Sequence, residues 1–183
     1  MEVKKLYEMV DEDQKEGSLG EKAYWKDLWE CYIEEKSMDY ASLSVKEAIP
    51  RLVSEQNLRE RRHAGSCGEL GVDIRVGDIC YIDFGEAYIS EIGYQHFGLI
   101  ITIFHNKAFV VPAYLQAYSK ENPKGKRHLM RLGKIKGMNK ESVLFINDAK
   151  WINTARIIDV KAHLRRDSEL FREIKDRVKN CLD

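Results

Sequence analysis

A chain of 183 residues, 44% hydrophobic and 33% charged, is long enough for one large domain or a small domain with an appended module, and its apolar runs are too short to span a bilayer. The net charge of zero hides a split: residues 1–71 carry 11 basic against 16 acidic side chains, and residues 72–183 carry 19 against 14. That asymmetry suggests a basic domain facing an anionic partner with an acidic segment beside it; the competing reading is two solvated surfaces with a chance imbalance.

The N-terminal stretch MEVKKLYEMVDEDQKEG has no apolar signal core, so a cytoplasmic location is expected, with a short helix or frayed end over residues 1–17. Ser18 and Glu21 form a capping-box pattern, and Trp25, Leu28, Trp29, Tyr32 and Ile33 recur at helical spacing, which predicts a helix from Glu21 to about Lys36. Two tryptophans on one stripe read as core or domain interface. Ser44 and Glu47 repeat the capping pattern; Pro50 is expected to kink that helix or to delay its start. The polar run 57–66 and the glycines at 68 and 71 mark a helix end and linker, dividing the chain into a helical extension, 1–71, and a second domain, 72–183.

From Val72 the pattern becomes β-like. Strands are expected at Asp78–Phe84, Phe97–Phe104 and Lys107–Val111, with a His105-Asn106 turn and Pro112 ending the third. Residues 117–125 read as a loop, Lys126–Ile135 alternates basic and apolar side chains, and Ser142–Ile146 is a short strand. Leu170, Ile174, Val178 and Leu182 line one face of a C-terminal helix over Asp167–Leu182. Five short strands closed by a helix predict an α+β fold built on a small, partly open β-barrel.

Cys31, Cys67, Cys80 and Cys181 include no CxxC pair, which reads as reduced thiols; no metal site and no cofactor is expected. P-loop, GxGxxG, HExxH and GxSxG signatures are absent. What remains is the long tip between the first two strands, bearing Glu91, Tyr94, Gln95 and His96, and a basic stripe of Lys120, Lys124, Lys126, Arg127, Arg131, Lys134, Lys136 and Lys140. Such a stripe, with Tyr94, Tyr114 and Tyr118 nearby, suits a phosphate backbone with unstacked bases; the competing reading is an edge strand whose lysines prevent sheet-to-sheet pairing.

The segment Gly77–Thr102 resembles the opening of the MazF/PemK family of toxin endoribonucleases. The matching elements are Gly77-Asp78, Asp83-Phe84, Ser90-Glu91, Gln95-His96-Phe97 and the apolar run Gly98–Thr102. Val111–Gln116 is similar to the family's third strand, and Glu141–Leu144, Asp148–Ile152 and Arg156-Ile157 to its later segments. The resemblance covers residue 76 onward and implies an SH3-like small β-barrel, MazF/PemK/CcdB-like, with a C-terminal helix behind the helical N-terminal module. It also implies metal-independent cleavage of single-stranded RNA to a 2′,3′-cyclic phosphate and a 5′-hydroxyl, a cognate antitoxin protein and a homodimer. Carried over residue by residue, it puts His96 at the family's catalytic arginine position and Tyr114 at its catalytic threonine position. Glu91 is then a third catalytic candidate, and Tyr94, Gln95, Gln116, Lys120, Lys124, Lys126, Arg127 and Arg131 are candidate RNA contacts. Two other readings stand beside this one: a non-catalytic barrel that binds RNA or a protein, and a toxin that poisons a protein target.

Overall fold

The computed structural model describes residues 17–115 and 128–181. The expected N-terminal helix or frayed end, the loop at 117–125, and Gln116, Lys120, Lys124, Lys126 and Arg127 lie outside the described residues. The chain divides into two compact units, Met1–Ile49 and Pro50–Asp183.

In the first unit the Ser18–Glu21 capping box closes a 3-10 turn, Leu19–Glu21, and helix α1 runs over Trp25–Ser42, later and longer than the spacing predicts. Trp25 stacks on Trp29 at 5.2 Å between ring centroids, and Trp29 meets Tyr32 at 5.6 Å. No residue of α1 is buried, so the apolar stripe holds together by contacts along the helix and not by entering a core. Helix α2, Val45–Arg61, begins where the second capping box stands: Ser44 N–H donates to Glu47 Oε2 at 3.0 Å, and Glu47 N–H to Ser44 Oγ at 3.3 Å. Pro50 lies inside the helix and does not delay its start. Its missing N–H removes one hydrogen bond in the first turns of a largely exposed helix, where the freed carbonyl is open to solvent and the cost is small.

The second unit holds the rest of α2, a seven-stranded antiparallel sheet and helix α3, Glu169–Lys179. The strands are β1 Asp78–Asp83, β2 Gln95–Phe104, β3 Lys107–Leu115, β4 Leu129–Gly133, β5 Ser142–Phe145, β6 Lys150–Asn153 and β7 Ile157–His163. They lie in the order β4-β5-β3-β2-β1-β7, with β6 also on β3. Bulges in β7 and β2 and the shared edge of β3 curl this sheet into a small, partly open barrel with an apolar cluster on each face. The α+β barrel with a C-terminal helix expected from the sequence is therefore present. Phe171, Ile174 and Val178 of α3 enter the cluster that also holds Leu99 and Leu144.

Pro112 does not end β3, which continues to Leu115. The outer neighbour of β3 changes there: residues 107–110 pair with β6 and residues 113–115 with β5. Pro112 occupies the gap between the two, where no outward N–H is required. Gly77 has φ +95°, and a Cβ built on it would lie 2.2 Å from the Leu164 carbonyl oxygen. Its own N–H donates to Ile100 O and its carbonyl accepts from Leu164 N–H, so a glycine is needed where β1 enters between β2 and β7.

Candidate active site

His96 is the second residue of β2, and Tyr114 lies near the end of β3. The ladder pairs Phe97 with Ala113, so His96 and Tyr114 are the next step along the same two strands. Their rings sit 4.3 Å apart at 42°, and Tyr114 meets Phe145 of β5 at 4.7 Å on its other side. Burial pushes the His96 imidazole below its usual range, which favours the neutral ring that can accept a proton.

Glu91 is exposed on the β1–β2 loop, where its carboxylate accepts from Tyr88 N–H at 3.4 Å. No hydrogen bond joins it to His96 among the described residues. Its charge is felt instead at Asp148, in the 3-10 turn after β5. Burial raises that carboxyl most; Lys150 and His128 pull it back, and Glu91 pushes it further up. Asp148 was not a candidate from the sequence, because nothing in a linear pattern places it near Glu91, which lies 57 residues earlier. Arg131 is exposed on β4, opposite Val143. Among the described residues no group of three or more His, Cys, Asp or Glu side chains is placed to hold a metal ion.

Gln95 and Tyr94 belong to a neighbouring arrangement. Asp83, only 4% exposed at the end of β1, accepts four hydrogen bonds: Ser54 Oγ at 2.7 Å, Asn57 Nδ2 at 2.6 Å, Gln95 Nε2 at 3.1 Å and Gly85 N–H at 2.9 Å. Burial alone would raise this carboxyl, but the four donors together hold it below the ordinary range. The Gln95 amide also donates to Pro50 O at 3.2 Å, and Arg61 Nη1 donates to Ala155 O and Ile157 O. Thus the part of α2 from Pro50 onward is fixed to the barrel through a polar hub beside His96. Serine and asparagine three apart on a helix were the only advance sign, and that spacing is ordinary on a solvated face. Tyr94 takes φ +58°, and the loop is closed at its base by Phe84 N–H to Tyr94 O and Tyr94 N–H to Gly85 O.

No family model and no curated protein matches the chain. Among solved structures, the chain is similar to the Mycobacterium tuberculosis toxin MazF-mt6, at 13% identity over 58% of this chain and 96% of that one, with a TM-score of 0.42. It is also similar to MazF from Deinococcus radiodurans, at 13% identity over 60% and 96% with a TM-score of 0.47. A MazE–MazF structure from the same organism matches at 15% identity over 60% and 95%, with a TM-score of 0.43.

Proposed function

We propose that the chain is a toxin-like endoribonuclease that cleaves single-stranded RNA without a metal ion. The observation that carries this reading is the side-by-side placement of His96 and Tyr114, the two positions at which the sequence resemblance to MazF/PemK toxins puts the reacting groups. Attack of a 2′-hydroxyl on the adjacent phosphate needs a base, an acid for the leaving 5′-oxygen, and stabilisation of the charged phosphorane. A neutral, half-buried His96 takes the 2′-hydroxyl proton as base, and solvent water protonates the leaving 5′-oxygen. Tyr114 donates a hydrogen bond to a phosphate oxygen from the adjoining strand, and Arg131, two strands away along the same Tyr114–Val143–Arg131 row, offsets the phosphorane charge. Histidine cannot clamp two phosphate oxygens as an arginine fork does, so this site relies on proton transfer where the family pattern relies on a fixed cation.

The products are a 2′,3′-cyclic phosphate and a 5′-hydroxyl; the partners are a cognate antitoxin and a second copy of the chain. Incubating the full-length protein with a panel of single-stranded RNAs in EDTA tests the reading. Cleavage is expected for wild type, with about 10²–10⁴-fold loss in His96→Ala, the usual weight of one general acid–base group. Tyr114→Phe, which keeps the ring, is expected to fall between the two. Undiminished cleavage by His96→Ala removes His96 from the mechanism.

A further inference from the structure

Between α2 and the end of β1 lies a cavity of about 380 Å3, within the range of small-molecule sites. Neither His96 nor Tyr114 lines it; Phe84, Tyr94, Arg61, Arg62 and Arg156 do. Each guanidinium carries five N–H donors. Arg61 uses only Nη1, on the two backbone carbonyls described above, and Arg156 uses only Nη1, on Asp83 O at 3.2 Å. Arg62 uses only Nε, on His63 Nε2 at 3.1 Å. The other N–H groups of these three side chains engage nothing among the described residues. Two carboxylates at the walls are committed, Asp83 to its four donors and Glu86 to Arg51, and Glu55 is not free either. Gly85 leaves the room Arg156 needs, because a Cβ there would come within 2.9 Å of Arg156 Nη1. The cavity therefore combines two aromatic side chains with a surplus of fork-shaped cationic donors, which is what a base attached to a phosphate requires.

We propose that this cavity is a binding site for a nucleoside phosphate, its phosphate held by Arg61, Arg62 and Arg156 and its base against Tyr94. The ligand is either a free mononucleotide or one nucleotide of an RNA strand, and only the second source rests on the nuclease reading. The site depends on α2, so it is separate from the His96–Tyr114 pair on the barrel.

The test is calorimetric titration of the full-length protein with 5′-AMP, 5′-UMP, adenosine, inorganic phosphate and a 2′-O-methyl oligoribonucleotide, which binds but cannot be cut. Saturable nucleotide binding is expected, weakened about tenfold or more in Arg62→Ala, as for loss of one charge-assisted hydrogen bond. Arg62 is exposed and bonds only to His63, so this variant retains the fold; circular dichroism verifies it. Tyr94→Gly keeps the left-handed backbone, and it is expected to weaken nucleotides about tenfold while leaving inorganic phosphate unchanged. Mononucleotide affinity matching that of the oligomer assigns a free nucleotide. Oligomer affinity at least about tenfold greater, and equally sensitive to both variants, assigns a nucleotide of RNA. The proposal is overturned if neither probe binds, or if binding survives both substitutions unchanged. If RNA is cut while these variants leave nucleotide affinity untouched, the cavity proposal fails and the nuclease reading stands. Nucleotide binding that both variants weaken, in a protein that cuts no RNA, supports the cavity site and overturns the nuclease reading.

Discussion

Two titratable side chains decide most of the local chemistry. His96 is held below its usual range by burial, so its proton-accepting form persists at pH values below about 6.5, where an unperturbed imidazole charges. The acid limb of the cleavage profile in kcat/KM is therefore expected below that value, and a limb above neutrality would exclude His96 as the base. Asp83 shifts downward through its hydrogen bonds, so its contribution to stability is complete above about pH 4 and is lost as pH falls from there through its lower folded-state value. Urea unfolding at about pH 6 and about pH 3 tests this: wild type should lose more stability between the two than Asp83→Asn, which has no such charge to protonate. At neutral pH, Asp83→Ala strands four donors around a buried void, and a loss of about 3 kcal/mol is expected. A loss within experimental error would mean that water replaces the carboxylate freely. Cys80, by contrast, is chemically silent, since burial pushes its thiol well up and keeps it protonated.

At the level of elements, the entry to β1 hinges on one residue. Gly77→Ala combines a positive φ with a clash against Leu164 O, and a loss of at least about 2 kcal/mol in thermal or urea unfolding is expected. A neutral result would show that the β1–β7 junction relaxes. Strands β1 and β2 were legible in the sequence because their apolar residues alternate or run together between turn signals, and both capping boxes were legible because they are local. The β3 extension past Pro112 was not, because it depends on which strand lies outside β3 at that point. Strand β6, with Trp151 half exposed and only Ile152 buried, has too weak a pattern to stand out before its pairing with β3 is known. The His96–Tyr114 pair came from a family resemblance and is joined in space by register alone. The Asp83 hub and the arginine-lined cavity were invisible for the same reason: their members come from a helix, a strand end and a distant turn.

Across the full chain, the compact division falls at residues 49 and 50, so the second half of α2 belongs to the same unit as the barrel. Ser54, Asn57 and Arg61 supply donors that the barrel cannot replace from its own strands. A fragment of residues 50–183 is therefore expected to unfold at a higher temperature than one of residues 72–183, which loses those donors and bares the apolar wall of the cavity. Equal melting temperatures would show that α2 adds nothing to the barrel. Cleavage by a His96-centred site is tested most directly by the chemistry of the RNA ends that the full-length protein leaves in EDTA. Termini carrying a 2′,3′-cyclic phosphate and a 5′-hydroxyl are expected with wild type and should fade with His96→Ala. Ends bearing a 5′-phosphate, or intact RNA across the whole panel, would contradict that chemistry.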